Sequence, residues 1–283
     1  MAPKAVREEL YSGFNTEFEV EDIYFDSATD HQRLVVFKNA VFGRMMMLDG
    51  VTQTTEADEF IYHEMLAHVP ILAHGTAKKV LIIGGGDGGM LREVLRHPSV
   101  EKCTIVEIDR SVVELSKTYL PGHSNGAFDD PRASLVFADG AEFVRSPDDT
   151  YDVMIVDSTD PIGPGDVLFE DTFYANTRNC LTPDGLLVTQ NGVPFMQPDE
   201  LRNSLTHLRQ FYDDVSCYIA TVPTYVGGPM AFGWATNTTD HRQTTVEALT
   251  KRFNTAAFQT RYYTPDVHKA AFALPPYISD LTL

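Results

Sequence analysis

Cysteine, long apolar runs and basic side chains are all scarce in this sequence, and each scarcity excludes a class of protein. The 283 residues include three cysteines, an odd and unclustered set at Cys103, Cys180 and Cys217. Such a set fits neither a disulfide framework nor a zinc site, and is typical of reduced thiols. No run approaches the roughly 20 apolar residues that a membrane-spanning helix needs, and residues 1–9 contain no apolar signal core. We therefore expect a soluble cytoplasmic protein.

Basic residues are outnumbered almost two to one, because 22 lysines and arginines stand against 40 aspartates and glutamates. The formal net charge is −18. Nucleic-acid binding depends on lysine and arginine contacts to phosphates, so a nucleic-acid partner is disfavoured. Much of this acidity simply aids solubility. The length suits one large α/β domain with a small companion.

The most informative stretch is a glycine-rich turn between a predicted strand and a predicted helix. Residues 80–83 are four consecutive apolar residues, which predict a buried strand, and residues 90–96 predict a helix. The turn between them contains G-x-G-x-x-G, a weak signal by itself for close backbone approach to a ligand. Asp87 within the turn would repel a pyrophosphate, so a dinucleotide-dependent dehydrogenase is disfavoured. A ligand with a cationic part is favoured instead.

Residues 102–109 predict the next strand, which ends in two acids about twenty residues after the glycine turn. A carboxylate at this spacing usually accepts hydrogen bonds from ribose hydroxyls. The alternative role is to cap the following helix, and Asp109, close before Ser111, suits that role better than Glu107. Glu107 is therefore the favoured ribose ligand. Together the two motifs predict a nucleoside that carries no phosphate.

The rest of the chain predicts two structural units. Residues up to about 53 predict β structure with a hairpin turn at Asp49-Gly50, and a helix is predicted to follow ahead of Pro70. From Lys79 onward strands and helices alternate, which predicts a largely parallel, doubly wound α/β sheet with helices on both faces. We place the junction at residues 75–77, so the predicted units are 1–77 and 78–283.

Four acids each directly follow a predicted strand, namely Asp87, Glu107, Asp139 and Asp157. The carboxyl ends of parallel strands meet at one edge of a sheet, so these side chains should converge on one crevice. Any one of them could instead cap a helix. Carboxylates that share a cleft raise one another's pKa values and cost free energy, and a cationic ligand would offset that cost. The set therefore predicts cationic substrates.

The last of these acids opens an unusual segment, residues 157–165, which contains two prolines, two glycines and a second acid, Asp160. Tyr62 on the predicted helix and the loop at residues 223–228 are expected opposite it. Tyrosine and carboxylate together suit an ammonium group, through hydrogen bonds and cation–π contact. The spacing from His63 to His68 is one residue too long for the H-E-x-x-H zinc pattern, so no metal site is expected.

Five segments together carry a family resemblance. They are TQTTE-x-DEF-x-YHEM at residues 52–65, GGGDGG at 84–89, Asp139-Gly140, DSTDP-x-GP at 157–164, and Pro223-Thr224-Tyr225. This combination resembles the spermidine synthase family of the bacterial type, and the match runs nearly end to end. One departure lies at the N-terminus. Many members have a tryptophan before a glutamate there, whereas this chain reads Val6-Arg7-Glu8.

The resemblance implies a small antiparallel β domain joined to a Rossmann-like, methyltransferase-type domain, in a homodimer or homotetramer. It implies transfer of the aminopropyl group of decarboxylated S-adenosylmethionine to putrescine, giving spermidine and methylthioadenosine, without a metal or bound cofactor. The resemblance also implies that Glu107 binds the ribose, that Asp139 binds the adenine amine, and that Asp87 with His63 binds the aminopropyl end. The full set implied for the nucleoside substrate is Gln32, Gln53, His63, Asp87, Glu107, Asp139, Gly140 and Pro164. The set implied for the diamine is Tyr62, Asp157, Ser158, Thr159, Asp160, Gln190 and Tyr225, with Asp157 as the proton acceptor.

The charge pattern agrees with this implication, because the donor carries a sulfonium and an ammonium and the acceptor is a diammonium. S-adenosylmethionine itself has an additional carboxylate, which Asp87 would repel. Three alternatives stay open. They are an aminopropyltransferase that makes spermine or another polyamine, an amine N-methyltransferase that uses S-adenosylmethionine, and a non-catalytic nucleoside or polyamine binding protein.

Overall fold

The computed structural model describes residues 5–158, 171–238 and 240–283. Two small antiparallel sheets are followed by a large, mostly parallel sheet with helices on both faces, which is the predicted α/β architecture. Thr159, Asp160 and Pro164, which were predicted to line the site, lie outside the described residues. Within the described ranges, no helix is both long and apolar enough to cross a membrane.

The N-terminal sheets form from short strands, and the second sheet is apolar on both faces, because Leu34 and Val36 pack on one side and Val35 and Phe37 on the other. Asp49 and Gly50 turn the chain with φ angles of 47° and 82°, which are the angles that a two-residue hairpin turn requires. The predicted hairpin is therefore confirmed. The first sheet pairs β1 (Ala5–Tyr11) with β2 (Phe14–Glu19), and the second has the order β3 (Asp22–Ala28), β4 (Arg33–Asn39), β5 (Gly43–Leu48) and β6 (Val51–Thr55).

A buried helix, α1 (Glu59–His74), follows these sheets and packs against the central sheet. The prediction that this helix lies ahead of Pro70 is wrong at its C-terminal end, because the helix continues through Pro70 and ends at Gly75. An interior proline removes one backbone hydrogen bond and normally kinks or breaks a helix. Here the residues on every side of Pro70 are buried, so tertiary packing outweighs the local preference.

The central sheet positions the functional site. Its strands are β7 (Lys79–Gly84), β8 (Lys102–Glu107), β9 (Ala133–Phe137), β10 (Tyr151–Asp157), β11 (Leu181–Gln190), β12 (Asp214–Ala220) and β13 (Met230–Thr236). Among the described residues the order is β12-β13-β11-β10-β7-β8-β9, with β7 to β11 mutually parallel and β13 antiparallel to both its neighbours. The strand order reverses between β7 and β10, where Gly84 pairs with Asp157. Such a switch point is where doubly wound sheets bind ligands.

Helices cover both faces of this sheet because its strands are apolar on both sides. Val80 and Ile82 of β7 pack in the core under α1, whereas Leu81 and Ile83 pack in the core on the opposite face, as strand alternation requires. The remaining helices are α2 (Gly89–Leu95), α3 (Arg110–Tyr119), α4 (Pro121–Ser124), α5 (Gly140–Arg145), α6 (Asp171–Cys180), α7 (Pro198–Leu208), α8 (Asp240–Gln243), α9 (Val246–Ala256), α10 (Pro265–Ala271) and α11 (Pro276–Ser279).

Candidate active site

A cavity of about 190 Å³ lies at the carboxyl ends of β7, β8 and β10. Its lining combines side chains from the N-terminal sheets, from α1 and from the loops that follow the central strands. Every predicted site residue that the structure describes belongs to this lining, namely Gln32, Gln53, Tyr62, His63, Asp87, Glu107, Asp139, Gly140, Asp157, Ser158, Gln190 and Tyr225.

The glycines of the turn after β7 allow functional side chains to approach the backbone closely. A Cβ atom on Gly86 would lie 2.7 Å from Oε2 of Glu107, and one on Gly89 would lie 2.2 Å from Cε1 of His63. Both distances are too short for real Cβ atoms. The turn therefore provides space for two side chains of the protein itself, in addition to the ligand that the sequence motif predicts.

We expect Gly89→Ala to destabilise the protein by about 1–3 kcal/mol, because the new methyl group must displace the buried His63 ring. Displacement of that ring should also lower activity. Gly122→Ala in α4 is the matched control, since a Cβ there meets no atom within 4 Å. Denaturant unfolding of both variants measures the difference. Equal stability of the two variants would contradict the packing argument.

Asp157 ends β10 and contacts α1 through Tyr62, whose hydroxyl donates a 2.6 Å hydrogen bond to Oδ1 of Asp157. The pKa of Asp157 is raised to about 6, mainly by burial and also by the nearby Asp87, although the charge of His63 and the Tyr62 hydrogen bond oppose the rise. Burial also raises the pKa of Tyr62 well above its usual value. Asp157 is thus a buried carboxylate whose pKa lies near neutrality, which suits a proton acceptor.

Glu107 and Asp109 have different surroundings at the end of β8. Asp109 caps α3, because its Oδ1 accepts the Ser111 N–H at 2.9 Å and its Oδ2 accepts the Thr29 hydroxyl at 2.7 Å. The prediction that Asp109 is the better cap is confirmed. Glu107 lines the cavity and accepts the Asp109 N–H at 2.9 Å, and burial raises its pKa to about 7.

The two remaining strand-end acids also accept backbone hydrogen bonds at helix N-termini, a role that the sequence analysis left open. Oδ1 of Asp139 accepts the Ala141 and Glu142 N–H groups at 2.7 and 3.2 Å and so caps α5. Oδ1 of Asp87 accepts the Gly89 N–H at 2.8 Å at the start of α2. Both residues line the cavity as well. All four acids therefore converge on one crevice, as the strand-end rule predicts.

The charge of the cavity is dominated by these acids. No lysine or arginine occurs among the lining residues in the described part of the chain. The buried His63 ring places Nδ1 2.5 Å from Oε2 of Glu59 and Nε2 3.5 Å from Oδ2 of Asp87. Burial opposes protonation of the ring, but Asp87 and Glu59 together raise its pKa to about 9. Arg92 contacts the same Glu59 oxygen at 2.9 Å from outside the lining.

Some lining residues carry no recognisable sequence signal. Glu8 on β1 lines the cavity, and its Oε1 accepts the Thr52 N–H at 2.6 Å. Gln197, just before α7, also lines the cavity and accepts a 3.3 Å hydrogen bond from Tyr11. The only hint in the sequence is the position of Glu8 at the point where the chain departs from the family pattern. The positions of Glu8 and Gln197 depend on how the sheet of β1 and β2 packs on the central sheet.

Among the described residues, one other cluster, His74, Asp184 and His241, has ligand atoms within 4.8 Å of one another that could hold a metal ion. His74 lies roughly 16 Å along α1 from His63, and none of the three residues lines the cavity. The imidazole rings of His74 and His241 stack with their centroids 5.2 Å apart, and Nε2 of His241 lies 3.0 Å from the Asp184 carbonyl oxygen. These contacts join the end of α1 to β11 and α8.

The sheet order and the acid-lined cavity at its switch point define an enzyme domain of the methyltransferase-like class. A family model described as the spermine/spermidine synthase domain matches residues 59–246, and one described as the spermidine synthase tetramerisation domain matches residues 6–56. The chain belongs to the spermine/spermidine synthase family.

Individual relatives agree with this assignment. The chain is 59% identical to a polyamine aminopropyltransferase of Ruegeria sp. (strain TM1040), covering 97% of this chain and 96% of the relative. It is 55% identical to polyamine aminopropyltransferase 1 of Pseudomonas aeruginosa, covering 96% and 95%. A crystal structure of spermidine synthase with the transition-state analogue AdoDATO superposes with a TM-score of 0.93 at 37% identity, covering 100% of this chain and 96% of that one. Spermidine synthase from Thermotoga maritima gives 0.90 at 35% identity, covering 100% and 95%.

Proposed function

We propose that this protein transfers the aminopropyl group of decarboxylated S-adenosylmethionine to putrescine, giving spermidine and methylthioadenosine. The observation that carries the proposal is the cavity itself. It brings Asp87, Glu107, Asp139 and Asp157 together, and its described lining contains no lysine or arginine. Two cationic small molecules are the substrates that such a cavity favours. The names of the relatives and the bound analogue of the neighbouring structure agree with this reaction.

On the donor side, we assign Glu107 to the ribose hydroxyls. It stands at the end of β8, and the task of capping α3 falls to its neighbour Asp109. We assign the adenine amine to Asp139 and the aminopropyl end to Asp87 and His63. Gln32, Gln53 and Gly140 complete the described part of the donor site. The contribution of Pro164 stays a prediction.

On the acceptor side, we assign the reacting amine to Asp157 and Tyr62, with Ser158, Gln190 and Tyr225 beside them. The nitrogen lone pair attacks the carbon next to sulfur, and the electrons of the carbon–sulfur bond stay on sulfur as a neutral thioether. Positive charge thereby moves to nitrogen, where Asp157 stabilises it and accepts the released proton. The contributions of Thr159 and Asp160 stay predictions.

If Asp157 accepts the proton, the pH dependence of kcat/KM should show an acidic limb near the Asp157 pKa of about 6. Tyr62→Phe removes a hydrogen bond that favours the charged carboxylate, so we expect this limb to move to higher pH. Tyr225→Phe is the control, because the Tyr225 hydroxyl donates to the Gln53 carbonyl. Its limb should stay in place. If the acidic limb of Tyr62→Phe stayed at the wild-type pH, the limb would not report the ionisation of Asp157.

One assay distinguishes this function from its alternatives. Purified protein is incubated with decarboxylated or intact S-adenosylmethionine and with putrescine, spermidine or longer amines, and the products are identified by mass spectrometry. Methylthioadenosine formed with putrescine supports the proposal, and a preference for spermidine points to a spermine-forming enzyme. S-adenosylhomocysteine would indicate methyl transfer. The absence of every product would favour a binding protein.

We further propose a homodimer or homotetramer, supported by the family description of residues 6–56 as a tetramerisation domain. The division into units 1–77 and 78–283 stays a prediction, and light-scattering mass together with limited proteolysis would test both points. A cytoplasmic location is supported by three buried free cysteines, since reduced thiols are usual there.

A further inference from the structure

His63 faces a carboxylate from each of its ring nitrogens. Nδ1 lies 2.5 Å from Glu59, Nε2 lies 3.5 Å from Asp87, and the side chain is only 3% exposed. A neutral imidazole has one N–H and one lone pair, so it can donate to only one of these carboxylates. The hydrogen bond from Nδ1 to Glu59 and the second carboxylate 3.5 Å from Nε2 therefore favour an imidazolium. This cation belongs to the protein and lies inside the cavity proposed to bind cationic substrates.

The two carboxylates around His63 are not equivalent. Glu59 contacts both His63 and Arg92 within 2.9 Å, and although burial opposes its charge, these two partners lower its pKa to about 2. Asp87 is farther from the ring and lines the cavity. Glu59 is thus held by both His63 and Arg92, whereas Asp87 is exposed to the cavity in which the ligand would bind.

Neither His123 nor Arg92 provides the positive charge beside Asp87 in place of the His63 ring. His123 lies 4.0 Å from Asp87, but its Nε2 already contacts the Thr54 hydroxyl at 2.8 Å, and burial lowers its pKa. Arg92 forms ion pairs with Glu59 and Glu93, and it does not line the cavity. The titratable and charged groups that surround the ring are Glu59, Tyr62, Asp87, Arg92, His123 and Asp157.

We propose that His63 neutralises Asp87 in the free protein and that the aminopropyl ammonium of the donor replaces it, so that donor binding releases the proton on Nε2. This inference rests on the proposed function. With the ammonium beside Asp87, a charged ring would face a second cation in a buried site, which disfavours its charged form. The neutral ring keeps Nδ1–H on Glu59 and presents the Nε2 lone pair to the ammonium. The released proton passes to solvent, and no other bond changes.

The product provides a natural comparison. Methylthioadenosine carries the same adenine and ribose but no ammonium, so Asp87 keeps its protein partner and His63 keeps its proton. Proton release should therefore accompany donor binding and be absent from product binding. Re-pairing of His63 with Asp87 after the transfer would also favour departure of the product.

Isothermal titration calorimetry at about pH 8, in buffers of different ionisation enthalpy, measures the protons released per ligand bound. At that pH the carboxyls of Glu107 and Asp157, with pKa values of about 7 and 6, are already mostly ionised, and the ammonium, with a pKa near ~10, stays charged. We expect close to one proton for decarboxylated S-adenosylmethionine and none for methylthioadenosine. Correspondingly, donor affinity should rise about tenfold per pH unit below the His63 pKa of about 9.

Two variants locate the proton. His63→Gln should bind the donor without proton release and with an affinity that is flat in pH. His123→Gln, 4.0 Å from Asp87 but outside the cavity lining of the described residues, should keep the release. Thermal unfolding checks that both variants are folded. The comparison of the donor with methylthioadenosine uses the wild-type protein and does not depend on either variant. Donor binding without proton release, or equal release with methylthioadenosine, would overturn the inference and leave the proposed function intact. Failure of the wild-type protein to bind the donor would instead contradict the proposed function and, with it, this inference.

Discussion

Replacing Asp157 by asparagine is expected to lower the rate of methylthioadenosine formation by ~10² or more, with little change in the affinity for the nucleoside methylthioadenosine. Asparagine has nearly the same shape and can still accept the Tyr62 hydrogen bond. However, it carries no charge to stabilise the developing ammonium and cannot accept its proton. The buried position makes the loss larger, because electrostatic stabilisation is stronger where water is excluded.

The measurement combines single-turnover product formation with calorimetric binding of methylthioadenosine. Asp148→Asn on the exposed loop before β10 is the control, because it removes the same charge outside the cavity. It should retain the wild-type rate. Near-normal turnover in Asp157→Asn would remove Asp157 from the mechanism, whereas loss of nucleoside binding would indicate a structural defect.

The second large effect is expected at Glu107, where glutamine should weaken methylthioadenosine and donor binding by about 10–100-fold. Hydrogen bonds to a charged acceptor contribute about 1.5–3 kcal/mol, and the amide nitrogen of glutamine cannot accept a ribose hydroxyl. The amide oxygen can still accept the Asp109 N–H. We therefore expect the free energy of unfolding to change little.

Asp109→Asn, two residues away, is expected to show the opposite pattern. Asp109 caps α3 and accepts the Thr29 hydroxyl. Asparagine can keep the cap, but it removes the negative charge at the N-terminus of α3, which should reduce stability by up to about 1 kcal/mol and affect nucleoside affinity less. Calorimetry and denaturant unfolding of both variants separate the two roles. If Asp109→Asn weakened binding more than Glu107→Gln, the ribose assignment would be wrong.

Charge in the cavity is more balanced than the sequence suggested. The sequence predicts that Asp87 repels the carboxylate of S-adenosylmethionine, but the structure places the His63 ring between Asp87 and Glu59. The sequence contains His63 and Asp87 in separate motifs, and nothing in their spacing indicates contact. Their distance depends on α1 crossing the glycine turn, where Gly89 leaves room for the ring.

The strand-end acids could be predicted because the rule that places them is local. An apolar run followed by an acid specifies both a buried strand and the position of the acid at its end, and parallel strands align those ends at one edge. The same local logic distinguished Asp109 as a cap from Glu107 as a cavity residue. Pro70 shows the limit of such rules, because burial on all sides of α1 overrides the tendency of proline to end a helix.

The amino-acid sequence by itself determined the α/β class, the hairpin at Asp49-Gly50 and the convergence of acids on one crevice, since periodicity, turn chemistry and strand ends are properties of short segments. Only the tertiary structure decided that Glu8 and Gln197 enter the cavity lining and that His63 lies between two carboxylates. Those contacts join segments distant in the chain, and they depend on how the N-terminal sheets and α1 pack on the central sheet. Packing of that kind has no periodic signal in the sequence.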